Sequence, residues 1–129
     1  MKNHFITVTG FKYYYGIKPF VINRIVTLKK EPENCYDREA ISVSIPYLGK
    51  IGYVANSIES IANGTMSSGR IYDHVGNKFF ARIMFTTYTK IICKIEPYSP
   101  ELEKEMIKQN ERECQLEEYK NIINLEKWD

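Results

Sequence analysis

Cysteine and histidine are scarce. Cys35, Cys93 and Cys114 are the chain's 3 cysteines, odd in number and far apart, with no Cys-x-x-Cys pair, and the 2 histidines, His4 and His74, stand alone. That composition excludes a zinc site built on the usual ligand spacings and a disulfide framework, and leaves reduced thiols as the plain reading. No apolar run approaches the roughly 20 residues that a bilayer-spanning helix needs. Signal-peptide anatomy is missing too, because Met1-Lys2-Asn3-His4 leads directly into a strand-like pattern; a cytoplasmic location is the expectation. There is no Gly-x-x-x-x-Gly-Lys-Ser/Thr phosphate loop, so no nucleotide-driven motor is expected. Internal repeats and low-complexity segments are also absent.

What is present is enough for one core. The chain has 129 residues, of which 43% are hydrophobic, which suits a single domain with an appendage and argues against general disorder. Abundant Ile, Lys, Asn and Tyr fit an AT-rich bacterial or phage genome. The net charge of +2 is uneven: residues 1–98 carry 13 Lys and Arg against 7 Asp and Glu, a net of +6, whereas residues 99–129 carry 5 against 9, a net of −4. A basic body with an acidic tail fits a body that meets phosphate, although a charge of this size also serves solubility alone.

Alternation predicts strands over residues 5–9, 20–29, 40–45, 50–54, 70–75, 78–86 and 89–96. The strands 70–75 and 78–86 read as a hairpin across Gly76-Asn77. Residues 13–19 read as a loop and 31–37 as a turn of Pro, Asn and Asp. One helix is expected after Asn56, with Glu59 at capping-box spacing, Ile58, Ile61 and Ala62 on its apolar face, and Asn63-Gly64 as its stop. Six or seven short strands with one inserted helix suggest a mainly β protein, a small, partly closed barrel. From Ser99-Pro100 a helical tail begins, with Leu102, Met106, Ile107, Leu116, Tyr119, Ile122, Ile123 and Leu125 at roughly helical spacing and a break near Gln109–Glu113. The expected division is a barrel domain over 1–98 and an acidic helical tail over 99–129, the tail's stripe packing on the barrel or on a second copy of the chain.

Three blocks join aromatic rings to charges beside turns: Gly10-Phe11-Lys12-Tyr13-Tyr14-Tyr15-Gly16, Lys30-Glu31-Pro32-Glu33-Asn34-Cys35-Tyr36-Asp37-Arg38-Glu39-Ala40-Ile41-Ser42-Val43, and Lys50-Ile51-Gly52-Tyr53-Val54. Flat rings can stack on bases, and lysines can meet phosphate. Three consecutive tyrosines cannot all face inward, because strand neighbours alternate. Asn34 and Asp37 are ordinary turn residues. A carboxylate such as Asp37 can also accept a hydrogen bond from a terminal ribose hydroxyl and would repel a terminal phosphate. Gly52 permits close backbone approach within a strand.

In this order and spacing the blocks resemble the HIRAN domain, best known at the front of eukaryotic helicase-like DNA-repair remodellers and found also in bacterial proteins. The match is firm over about residues 5–62, and residues up to about 96 complete the barrel it implies. The resemblance implies a modified OB-like barrel that recognises single-stranded DNA at its 3′-hydroxyl end. By position, Tyr13, Tyr14 and Tyr36 correspond to the stacking and end-gripping aromatics. Asp37 corresponds to the hydroxyl acceptor, Asn34 to a residue shaping its pocket, Lys12 to a phosphate contact and Tyr53 to a backbone contact where the family often has His. A late aromatic, Phe79 or Phe80, could complete the site. Cys35 stands for the usual Pro, the loop after Gly16 is slightly longer, and Ala55-Asn56 stands where some members carry basic residues. Without a motor or a RING-type zinc site, remodelling and ubiquitin-ligase activities do not carry over.

The expectation is therefore a stand-alone binding module in DNA repair or replication, not an enzyme, with no cofactor or metal. Its partners would be the 3′ end of single-stranded DNA and, through the C-terminal helix, a second copy or another protein; no membrane is expected. A scaffold with a drifted pocket is the alternative. A nuclease built on Glu31, Glu33, Asp37 and Glu39 matches no defensible metal-ligand spacing.

Overall fold

The computed structural model of the chain describes residues 4–112. The chain divides into two units, residues 1–98 and 99–129. The first is a barrel of six antiparallel strands: β1 (Phe5–Thr9), β2 (Ile25–Lys30), β3 (Ile41–Ile45), β4 (Gly49–Val54), β5 (Lys78–Thr86) and β6 (Ile91–Glu96). Around the barrel the order is β1-β4-β3-β2-β5-β6, and β6 returns to β1. The ring of pairings closes where the sequence suggested a partly closed barrel, with β1 and β4 meeting at Val8–Val54 and Thr9–Tyr53.

Alternation places the core. Ile6 and Val8 on β1, Ile41, Val43 and Ile45 on β3, Ala81 and Ile83 on β5, and Ile91 and Cys93 on β6 all turn inward and are buried. Burial pushes the Cys93 thiol up to about 12, which makes it a packing group rather than a nucleophile. Gly52 belongs to the same interior. A Cβ there would lie 2.9 Å from Val8 Cγ1 and 3.1 Å from the Thr9 carbonyl oxygen, so β4 can lie this close to β1 only with glycine at that position.

Several elements differ from the alternation pattern, each for a local reason. β2 begins at Ile25 and not at Phe20. Residues 17–24 are held in turns by Phe20 N–H to Ile17 O and Arg24 N–H to Val21 O, and Asn23 takes a left-handed φ of 74°. Phe20 still reaches the core against Phe11, while Ile22 is exposed. The helix expected after Asn56 is replaced by turns at residues 57–60, and Ile58 stands 95% exposed. The Asn56 side chain is engaged elsewhere, as described below. Residues 70–75 are not a strand: α1 (Ser68–Ile71) and a 3-10 turn (Tyr72–His74) occupy the segment. Ser67 caps α1 by accepting the Arg70 N–H at 3.1 Å, and β5, the expected hairpin partner, already pairs with β2 and β6. Ile71 plugs the core instead.

In the second unit, residues 100–112 form α2. Ser99 caps it as expected, its Oγ accepting the Leu102 N–H at 3.0 Å. The rest of the apolar stripe, Leu116 to Leu125, lies outside the described residues, and so do the expectations placed on it.

Replacing Gly52 with Ala should destabilise the barrel by about 1–3 kcal/mol, because neither Thr9 O nor Val8 can retreat within a closed wall. Chemical denaturation checks this, and an unchanged midpoint would refute the close-approach account.

Candidate nucleic-acid interface

β2 delivers the chain to residues 31–40 at one rim of the barrel, and a single amide organises that turn. Asn34 Oδ1 accepts the backbone N–H groups of Tyr36 (2.9 Å) and Asp37 (3.1 Å), while Asn34 Nδ2 donates to Glu31 Oε1 at 3.0 Å. Asp37 continues the pattern, its Oδ1 accepting the Glu39 N–H at 2.9 Å. Both residues thus do ordinary turn work, and that work fixes where the Asp37 carboxylate and the Tyr36 ring stand.

The turn is fastened to β4. Lys50 Nζ lies 2.7 Å from Glu31 Oε2 and donates to Tyr53 Oη at 2.7 Å, and that phenol donates to Glu31 Oε1 at 2.8 Å. Burial pushes the Glu31 carboxyl up, but hydrogen bonds from Lys50, Asn34 and Tyr53 together outweigh it and hold the group below the usual carboxylate value. The Glu31 bond, with Tyr53 second, raises Lys50 above the ordinary lysine value. Burial raises Tyr53, which Lys50 opposes and Glu31 reinforces. The three groups therefore hold one another in fixed charge states, and the Lys50 ammonium is largely spent on Glu31.

From the other side, Asn56 holds Asp37. Its Nδ2 donates to Asp37 Oδ2 at 2.9 Å, and its Oδ1 accepts the Gly69 N–H at 2.9 Å. The result is an open cleft of about 870 Å³ lined by Tyr14, Asn34, Tyr36, Asp37, Lys50 and Tyr53 among others. Tyr36 is 94% exposed. Tyr14 and Tyr53 sit with ring centroids 6.4 Å apart at 48°.

Five of the seven residues expected in the site, Tyr14, Asn34, Tyr36, Asp37 and Tyr53, line one cleft; Lys12 and Tyr13 do not. The Gly10–Gly16 block is a 3-10 turn (Phe11–Tyr13) entered through Gly10 at φ 74°. Phe11 is buried as its anchor, which leaves all three tyrosines exposed and turns only Tyr14 toward Tyr53. Lys12 Nζ lies 5.1 Å from the Tyr13 ring centroid. Neither late aromatic joins the cleft: Phe79 is buried in the core, and Phe80 lies on the outer face of β5 beside Tyr98. Lys50 and Asn56 belong to the site without having been singled out for it. Their partners Glu31 and Asp37 are about twenty residues away in sequence, and only the sheet register joins them.

Among the described residues no His, Cys, Asp and Glu side chains group so as to hold a metal ion, and no helix is long and apolar enough to cross a membrane.

The profile of the HIRAN domain family matches residues 1–96. Among solved structures, the HIRAN domain of human HLTF is similar at 20% identity with a TM-score of 0.52, over 85% of this chain and 87% of that one. A protein from Lactobacillus plantarum is similar at 17% identity with a TM-score of 0.51, over 71% of this chain and 88% of that one. None of the curated proteins compared with the chain matches it.

Because the folded Glu31 carboxyl lies below its ordinary value of 4.5, its contribution to stability is present above that pH and is lost as pH falls below it. Glu31→Gln should cost about 1–2 kcal/mol at neutral pH. It should also flatten the acid limb of a stability-against-pH curve relative to the wild type; parallel acid limbs would show that Glu31 does not fasten the turn.

Proposed function

The chain belongs to the HIRAN domain family, a family of DNA-binding modules, and on that premise we propose that it captures the 3′-hydroxyl end of single-stranded DNA, as a binding module and not an enzyme, in DNA repair or replication. The observation that carries this reading is the Asp37 carboxylate held beside exposed rings in one cleft. Oδ1 and Oδ2 each accept one hydrogen bond, from Glu39 N–H and Asn56 Nδ2. A carboxylate oxygen has room for two. Each oxygen therefore keeps an acceptor position, and no acidic proton is needed for a terminal hydroxyl to donate to it.

The same carboxylate discriminates. A 3′-phosphate, or the phosphate of a continuing strand, would bring negative charge against Asp37. At about 4 Å that costs about 1 kcal/mol in water and about 4 kcal/mol at an effective dielectric of about 20. Tyr36 and Tyr14 offer faces for the terminal bases, each stack worth about 1–3 kcal/mol. The cleft's fixed cation, Lys50, is neutralised by Glu31, so affinity there rests on stacking and the hydroxyl bond more than on phosphate contact.

Asp37→Asn should reduce the preference for a 3′-hydroxyl over a 3′-phosphate from at least about fivefold to near unity. Fluorescence anisotropy with matched short strands reads this directly, and a preference that survives the substitution removes Asp37 from the role. Tyr36→Ala should weaken binding of the 3′-hydroxyl strand by about 1–3 kcal/mol without changing thermal stability, since the ring is 94% exposed; equal affinity would leave the ring without a base.

A further inference from the structure

The outer face of β2, β5 and β6 carries a charge pattern that the fold does not need. Lys29 on β2 stands directly opposite Lys78 on β5, and Arg82 on β5 directly opposite Lys94 on β6. Like charges in directly opposed positions of an antiparallel pair destabilise a sheet, and here the pattern occurs twice on one wall. Glu96 offsets it in part, accepting from Arg82 Nε at 2.9 Å. Among the described residues Lys29, Lys78 and Lys94 form no ion pair.

Between these cations lies a groove of about 440 Å³, separate from the cleft, with Lys78, Phe80, Lys94 and Tyr98 among its lining residues. The Phe80 and Tyr98 rings sit 6.2 Å apart, and Lys78 Nζ lies 6.0 Å from the Phe80 centroid. In the order around the barrel, β5 is three strands from β4, so this wall faces away from the cleft. One row of the sheet nevertheless joins the two, because Tyr53 is in register with Ser42, Ser42 with Lys29, and Lys29 with Lys78.

We infer that the β2-β5-β6 wall is a second nucleic-acid surface, taking an internal stretch of single strand with its phosphates on Lys29, Lys78 and Lys94 and a base in the Phe80–Tyr98 groove. Cations spaced along a wall, interleaved with aromatic rings, form the general arrangement for binding a strand without reading its sequence. The opposed lysines, a cost in the free protein, become favourable when a polyanion lies across them. The row through Ser42 gives the path by which a strand whose 3′ end sits in the cleft would reach this wall. That last point alone rests on the proposed function; the wall itself does not.

A circular single strand separates the two, since it has no end for the cleft to take. The full chain should bind it, and Lys78→Gln with Lys94→Gln should weaken that binding about tenfold and reduce the log–log salt slope by about 1.4, at about 0.7 per phosphate contact for single strands. The same double variant should keep the wild-type ratio of affinities for short 3′-hydroxyl and 3′-phosphate strands, and its thermal stability should equal or exceed the wild type's because repulsion is relieved. If the wild type ignores the circle, or the double variant binds it as well as the wild type does, the inference is overturned. Lysine-dependent binding of poly-glutamate with no binding of the circle would also overturn it, and would assign the wall to an acidic protein. If circle binding depends on these lysines while the wild type shows no preference for a 3′-hydroxyl, the wall stands and the end-recognition reading falls.

Discussion

Glu31 is the group through which the cleft is attached to the barrel. The turn after β2 has no strand to pair with. Its side-chain ties to β4 are those of one carboxylate, which takes the Lys50 ammonium on one oxygen and the Tyr53 phenol and Asn34 amide on the other. Asn34, fixed by that contact, then gathers the Tyr36 and Asp37 amides. The order of dependence runs from a charge pair on the wall to a turn conformation, and from the turn to the positions of a ring and a carboxylate. A site assembled this way is preorganised: its polar groups are aimed before any ligand arrives, so less ordering is left to binding.

The same network limits what the cleft can offer. Lys50, the cation in it, is committed to Glu31, and Asn56 brings a neutral amide against Asp37. Asp37 therefore faces the cleft with its charge little compensated, which favours a hydroxyl donor over a phosphate. On the β2-β5-β6 wall, by contrast, Lys29, Lys78 and Lys94 are not spent on carboxylates among the described residues. In the proposed reading, end recognition and phosphate contact fall on different faces of one small barrel.

Much of the barrel is readable from alternation alone. β1 and β5 coincide with their expected spans, and β3, β4 and β6 begin or end within one or two residues of them, because each alternates core-facing apolar residues with others, most cleanly on β5 and β6. Legibility fails where short-range hydrogen bonds outcompete pattern. Ile71, Tyr72 and Val75 have strand-like composition, yet Ser67 caps a helix there and β5 has no free edge. Asn56 has the composition of a helix cap, yet Asp37 and Gly69 claim its side chain. In the cleft, the residues proposed to meet a ligand by simple chemistry, Tyr14, Tyr36 and Asp37, are legible as motifs. Lys50 and Asn56 stand in or beside the third block, but their work of holding Glu31 and Asp37 in place is not legible there. Their contacts depend on the register of β4, including the irregularity between Val43 and Ser44 in its pairing with β3.

The most direct test is an NMR titration of the full chain with a short single strand bearing a free 3′-hydroxyl, too short to leave the cleft. Backbone amide shifts should concentrate at Tyr36, Asp37 and Glu39, together with the side-chain amides of Asn34 and Asn56, and should leave Lys78 and Lys94 unmoved. Shifts that avoid residues 34–39, or that appear unchanged when the strand ends in a 3′-phosphate, would contradict the claim that this turn reads the end of a strand.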